Sequence, residues 1–286
     1  TVPYDMSMKM AKRIEKFGET VFATWSRLAV EHNAINLGQG FPDFEAPDFV
    51  KEAAIQAIRD GDNQYSRSAG HPKLVEAIAD TFEIAIDPMD EVTVTCGSTE
   101  TIAAAILGLI NPGDEVIVIE PFYDSYLACL SMAGAIPKIV TLHAPNFTLS
   151  EDELQNAFSD NTKMIIVNSP HNPTGRVFSR DELALIAKLA IQHDAIVLSD
   201  EVYDKLVLTG EHIPIATLPE MRTRTITLRS LGKVFSVTGW KIGWSVAPPE
   251  LTVAIRNAHQ FLTFCAATPL QVAAATALRA PEEYFD

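Results

Sequence analysis

The chain has little of what several protein classes need. Its only cysteines, Cys96, Cys129 and Cys265, lack the close spacing of a disulfide framework or a thiolate metal site, so we expect reduced core thiols and no metal. Basic residues are scarce: 22 Lys and Arg stand against 37 Asp and Glu, a formal charge of −15. Proteins that bind phosphate backbones gather basic surface instead, and we therefore expect no nucleic acid partner.

Long apolar runs are also absent. No run approaches the roughly 20 residues that cross a bilayer, and residues 1–15 lack the apolar region of a signal peptide. We expect a cytoplasmic protein with no membrane partner. The chain has no internal repeat and no linker rich in Gly and Ser, and its 47% hydrophobic content is that of an ordinary globular protein.

What the sequence does contain is an alternation of short β-branched runs with helix-length amphipathic segments, from residue 91 to residue 247. This alternation predicts an α/β fold with a mainly parallel central sheet sandwiched by helices. The predicted strands, short and almost continuously apolar as burial on both faces requires, are residues 92–95, 115–119, 137–140, 164–168, 196–199, 225–228 and 243–246.

Three regions are predicted along the chain. Residues 1–45 are interpreted as an N-terminal arm and entrance loop that belong to a small domain, and residues 46–265 as a large α/β domain. Residues 266–286 are interpreted as the start of a C-terminal small domain that is truncated here. The chain is helical in character from residue 249 to residue 279, and Ser179 to Glu182 reads as the capped start of another helix.

The most informative segment is Ser-Leu-Gly-Lys at residues 230–233, directly after a predicted strand. A lysine at such a junction can be partly desolvated, which lowers its pKa and makes its amine a nucleophile toward aldehydes. Lys233 is thus a candidate Schiff-base residue. The segment alone does not establish this role, because a solvated loop lysine or the Ser-x-x-Lys pattern of serine acyl-transfer enzymes also explains it.

A second segment, Ser-Asp-Glu-Val-Tyr at residues 199–203, lies where a buried strand ends. In an open α/β sheet this end faces the ligand crevice, and a carboxylate there is costly unless it is paired with a cation. Asp200 could pair with a protonated pyridine nitrogen, while Tyr203 donates a hydrogen bond to a ring oxygen. An acidic helix N-cap is the alternative.

Two further segments follow predicted strands. In His-Asn-Pro-Thr-Gly at residues 171–175, the Pro and Gly fix a sharp turn that could present the Asn172 amide to a ligand, although such turns are common. In Thr-Cys-Gly-Ser-Thr-Glu at residues 95–100, Ser98 and Thr99 precede an Ala-rich helix predicted for residues 101–109. The free N–H groups of that helix favour a phosphate, although capping alone also explains the two hydroxyls.

Together and in this order, the four segments resemble those of the fold-type I aminotransferases of classes I and II. The sequence is similar to the kynurenine and methionine aminotransferase branch, which also holds cysteine-conjugate β-lyases and some succinyldiaminopimelate aminotransferases. The branch features are at residues 36–43, 63–65, 120–126 and 238–244. The resemblance covers essentially the whole chain.

The resemblance implies that pyridoxal 5'-phosphate is the cofactor, held as a Schiff base on Lys233, and that the substrates are an amino acid and a 2-oxo acid. It also implies a homodimer. The catalytic residues implied are Lys233, Asp200 and Tyr203. The cofactor would further contact Ser98, Thr99, Tyr123, Asn172, Ser230 and Lys241, with Tyr65 arriving from the partner subunit. The substrate would contact Gly40, Asn172 and Phe22, and for Phe22 plain core packing is an equal alternative.

The chain departs from the family at its end. Relatives continue into a small domain whose arginine clamps the substrate carboxylate, and neither Arg256 nor Arg279 matches it. We therefore expect the intact protein to be longer. The connection at residues 81–87 also looks a few residues short. The resemblance favours an aromatic or sulfur-containing amino acid as substrate. Three other functions stay open: a C–S β-lyase, a succinyldiaminopimelate aminotransferase, and a non-catalytic cofactor-binding regulatory module.

Overall fold

The computed structural model describes residues 11–40 and 42–285, and its centre is a seven-stranded sheet. The strands are β1 Val92–Thr95, β2 Glu115–Glu120, β3 Ile136–Thr141, β4 Thr162–Asn168, β5 Ile196–Asp200, β6 Thr225–Ser230 and β7 Gly243–Val246. All seven predicted strands are present, and each predicted boundary is within two residues of the observed one.

The spatial order of the strands is β1-β7-β6-β5-β4-β2-β3. From β6 to β3 every neighbouring pair is parallel, whereas β7 is antiparallel to both β1 and β6. The prediction of a mainly parallel sheet is therefore confirmed. Because β4, β5 and β6 are parallel neighbours, their carboxyl ends meet at one edge, which is where open α/β sheets bind ligands.

Helices cover the two faces of the sheet. They are α1 Val21–Glu31, α2 Asp48–Asp60, α3 Pro72–Ala79, α4 Ser98–Leu109, α5 Ser125–Ala133, α6 Glu151–Ala157, α7 Arg180–Gln192, α8 Leu231–Val234, α9 Pro249–Leu262 and α10 Thr268–Ala277. Side chains of β2 alternate between two buried clusters: Val116 and Val118 pack with α4 and α5, while Ile117 and Ile119 pack with α6 and α7. This period of two is how a strand is buried on both faces.

Local details confirm some expectations and correct others. Ser179 and Glu182 form the predicted capping box of α7. α4 begins at Ser98, three residues before the predicted start, because Gly97 serves as its N-cap. The prediction of core thiols is right for Cys129, but Cys96 and Cys265 are partly exposed, since they lie in turns rather than inside the sheet layers. Within residues 11–40 and 42–285, no helix combines the length and apolar character needed to span a membrane.

Candidate active site

A cavity of about 600 Å³ opens at the edge where β4, β5 and β6 end. Eleven of the twelve predicted site residues line it: Phe22, Gly40, Ser98, Thr99, Tyr123, Asn172, Asp200, Tyr203, Ser230, Lys233 and Lys241. Tyr65 lies elsewhere; its side chain is 82% exposed and packs edge-to-face on Phe264, with ring centroids 5.3 Å apart. The fold thus gathers residues from eight separate segments of the chain around one space.

Asp200 is the last residue of β5 and is only 4% exposed. Its Oδ2 accepts a hydrogen bond from the Tyr126 hydroxyl at 2.6 Å, and its Oδ1 accepts one from the Val202 backbone N–H at 3.3 Å. In the described part of the chain no Lys, Arg or His nitrogen forms an ion pair with it. Burial raises the pKa of Asp200 to about 6, although the Tyr126 hydrogen bond opposes this rise. The carboxylate is therefore poised to accept a cation.

Lys233 follows β6, on the short helix α8, and is half-buried. Its Nζ donates a hydrogen bond to the Gly40 carbonyl at 2.5 Å and lies 5.6 Å from the centroid of the Tyr203 ring. Burial lowers the pKa of Lys233, Asp200 opposes this change, and Lys241 adds to it. A larger neutral fraction of the amine makes it a better nucleophile.

Tyr203 and Asn172 present polar groups to the same cavity. Burial raises the pKa of Tyr203 to about 12, so its hydroxyl keeps its proton and can donate. The turn that carries Asn172 is fixed by Asn168, whose Oδ1 accepts from the Asn172 backbone N–H at 2.7 Å. The Asn168 side-chain amide also donates to the Asp200 carbonyl at 2.9 Å. Asn168 thereby ties the ends of β4 and β5 together.

Sequence reasoning missed two of these supporting residues. Tyr126 stands in the aromatic segment at residues 120–126 but received no role, because nothing local shows that it reaches Asp200, 74 positions away. Asn168 did carry a signal: like Asp200, it is a polar residue that ends a buried apolar strand.

The N-terminus of α4 forms the opposite side of the cavity. Gly97 caps this helix without a side-chain hydrogen bond, which leaves first-turn N–H groups for a ligand. A Cβ on Gly97, whose φ is +77°, would lie 3.0 Å from the Nζ of Lys241. A Cβ on Gly243 would lie 2.5 Å from the backbone N of Ser98. The two glycines therefore let β7 and the Lys241 amine approach the helix N-terminus closely, which makes an anion site.

These features fit pyridoxal 5'-phosphate. The buried carboxylate of Asp200 suits a pyridinium nitrogen, and the partly desolvated amine of Lys233 suits an aldehyde. The N-terminus of α4, together with the Lys241 amine, suits a phosphate. Tyr123 adds a flat aromatic wall, which suits a planar ring.

Comparison with known proteins gives the same result. The profile of the family described as aminotransferase class I and II matches residues 32–286. A kynurenine–oxoglutarate transaminase of Dictyostelium discoideum is 44% identical over 98% of this chain and 70% of its own length. The methionine aminotransferase of Escherichia coli is 38% identical over 96% of this chain and 72% of its own length.

Among solved structures, N-succinyldiaminopimelate aminotransferase from Mycobacterium tuberculosis superposes with a TM-score of 0.94 at 45% identity, over 96% of this chain and 74% of that one. Such identity over nearly the whole chain, together with the cavity, shows more than a shared fold. The chain belongs to the class I and II aminotransferase family.

Proposed function

We propose that the chain is a pyridoxal phosphate-dependent aminotransferase that moves the amino group of an amino acid to a 2-oxo acid. One observation carries the proposal: the buried Asp200 carboxylate, without a basic partner among the described residues, shares a cavity with the half-buried Lys233 amine and an anion site. A carboxylate this deeply buried is expensive unless a cation meets it. The pyridinium nitrogen of the cofactor is such a cation.

When bound, pyridoxal phosphate supplies an aldehyde that condenses with amines and a ring that withdraws electrons from the substrate Cα. Lys233 would hold the cofactor through its amine, and the same amine would take the proton from the substrate Cα. Asp200 would keep the ring nitrogen protonated. Tyr203 and Asn172 would donate hydrogen bonds to the ring oxygen, and Tyr123 would provide the aromatic wall beside the ring.

Other predicted residues bind the cofactor phosphate and the substrate carboxylate. Ser98, Thr99, Ser230 and Lys241 bind the phosphate, and Lys241 and the α4 dipole supply positive charge there. The Gly40 backbone and the Asn172 amide contact the substrate α-carboxylate. All of these residues except Tyr65 line the one cavity, which supports the assignment.

The substrate side chain is proposed to be aromatic or sulfur-containing. Apolar side chains line the cavity beside Phe22, namely Val21, Leu37 and Phe122. The relatives named for kynurenine and methionine fit this apolar wall.

Borohydride reduction tests the proposal. Treatment of the protein loaded with pyridoxal phosphate should fix the cofactor to Lys233, and peptide mass mapping should locate the adduct there. The Lys233→Ala variant should form no such adduct. Addition of an aromatic or sulfur amino acid should then shift the absorbance to that of pyridoxamine phosphate. No adduct at Lys233, or no such shift across a broad amino-acid panel, contradicts the proposal. Pyruvate and ammonia released from a cysteine conjugate without an oxo acid would identify a β-lyase instead.

We also propose a cytoplasmic homodimer in which Tyr65 serves the partner's site. Tyr65 lies outside the cavity of its own chain and packs edge-to-face on the exposed Phe264. Gel filtration at micromolar concentration tests the dimer. The division into residues 1–45, 46–265 and 266–286 stays a prediction.

A further inference from the structure

A buried histidine lies behind the proposed phosphate site. His259 of α9 is fully buried, its Nδ1 is 2.8 Å from Oε1 of Glu100, and its Nε2 is 2.9 Å from the carbonyl oxygen of Ser68. A carbonyl oxygen only accepts hydrogen bonds, so Nε2 carries a proton. The histidine therefore links two segments that are far apart in the chain.

The partner of this histidine is an ionised carboxylate. Glu100 also accepts hydrogen bonds from the Cys96 backbone N–H at 2.5 Å and from the Thr263 hydroxyl at 2.6 Å. Burial raises the pKa of Glu100, but the hydrogen bonds from His259, Thr263 and Cys96 outweigh burial and leave the pKa below its usual value. Because both partners are acceptors, the geometry gives both ring nitrogens of His259 donor roles, Nδ1 toward Glu100 and Nε2 toward Ser68, which is the arrangement of an imidazolium.

The position of Glu100 makes this charge matter. Glu100 is in the first turn of α4, directly after Ser98 and Thr99, which are proposed to bind the phosphate. The helix dipole attracts an anion to this turn, whereas an uncompensated carboxylate in the same turn would repel a phosphate dianion. The imidazolium cancels that repulsion without occupying the anion site.

We propose that His259 is a positioning residue of the cofactor phosphate site. Its charge neutralises Glu100, and its two hydrogen bonds tie the phosphate-binding turn at residues 96–100 to the loop at Ser68. That loop also carries Tyr65, three positions earlier, so one side chain braces the phosphate turn of its own site and the segment proposed to reach the partner's site. The inference rests on the proposed function and adds a residue to it.

The test compares two aldehydes that differ only in the phosphate. Dissociation constants of the cofactor-free protein for pyridoxal phosphate and for pyridoxal are measured by absorbance titration in the parent, His259→Gln, Glu100→Gln and the double variant. His259→Gln should weaken pyridoxal phosphate about tenfold or more, and pyridoxal less than about twofold, because only the phosphate meets the unmasked carboxylate. The double variant should recover most of the loss. His193→Gln, on the half-buried histidine that stacks on Phe158, is the matched control.

A merely structural role gives a different pattern. His259→Gln would then weaken both aldehydes equally, and the double variant would be worse than either single one; either result overturns the proposal. If His259→Gln does not fold, Glu100→Gln provides the test. Its preference for pyridoxal phosphate over pyridoxal should equal or exceed that of the parent. A tenfold fall in this preference refutes the proposal. If the parent itself forms no borohydride-stable adduct at Lys233, the proposed function is wrong, and this inference is rejected with it.

Discussion

Replacement of Asp200 by Asn should stabilise the cofactor-free protein while it impairs cofactor binding. In the folded chain, burial raises the pKa of Asp200 from the model-compound value of 3.8 to about 6. A rise of this size corresponds to about 3 kcal/mol of lost stability once the carboxyl is ionised. Asn has nearly the same shape, and its carbonyl oxygen can still accept the Tyr126 hydrogen bond. Its amide nitrogen then replaces the oxygen that accepts the longer bond from the Val202 N–H, so the substitution removes the charge and this weaker contact.

The sign of the pH dependence follows from that rise. Below pH 3.8 the carboxyl is protonated in the folded and the unfolded chain, and it contributes no difference. As the pH rises toward about 6, the unfolded chain ionises first, and the parent loses stability relative to Asp200→Asn. Above about pH 6 the difference in unfolding free energy between Asp200→Asn and the parent reaches its full value, up to about 3 kcal/mol, and stays constant.

Urea unfolding of both cofactor-free proteins between pH 4 and pH 8, followed by circular dichroism, measures this gap. Asp194→Asn is the control, because the Asp194 side chain is 92% exposed and should change stability little. Equal midpoints at pH 8, or a gap of the same size at every pH, would refute the reasoning. The same variant should retain pyridoxal phosphate poorly on dialysis, because the ring nitrogen loses its anionic partner.

Three other substitutions have defined expectations. Tyr126→Phe removes a hydrogen bond to the charged Asp200 and should destabilise the cofactor-free protein by about 2 kcal/mol at pH 8, as measured by urea unfolding. The same substitution should cost less in the Asp200→Asn background, where the acceptor carries no charge. Gly243→Ala places a Cβ 2.5 Å from backbone atoms of the phosphate-binding turn. Thermal unfolding should show a loss of stability of about 1–3 kcal/mol, and titration should show weaker binding of inorganic phosphate. Unchanged phosphate binding would contradict the close approach. Glu201→Gln removes the charged partner that lies 2.9 Å from the buried Arg229 but leaves Asp204 at 3.2 Å from the same guanidinium. It should therefore cost about 1.5–3 kcal/mol in urea unfolding; a loss below about 1 kcal/mol would show that this pair behaves like a surface pair.

The sheet could be predicted because most strands are short, buried runs rich in β-branched residues, which can be recognised without knowledge of their neighbours. The edge strand β3 is largely exposed, but its sequence has the same β-branched character. The place of the site followed from the same pattern, since Asp200, Asn172 and Lys233 come just after strands that had to be parallel. Pairings across the fold could not be predicted. Tyr126 with Asp200 and His259 with Glu100 join residues 74 and 159 positions apart, and periodicity gives the face that a side chain occupies but not the atom it meets.

The position of β7 has a consequence for when the site can form. Among the described residues, β7 is the one strand neighbour of β1, and the turn that follows β1 lies against Gly243 at the start of β7. During synthesis, β1 therefore stays unpaired and the phosphate-binding turn unsupported until residue 246, the end of β7, has emerged from the ribosome tunnel. We therefore expect cofactor capture to follow the emergence of β7, the last strand of the described sheet in chain order.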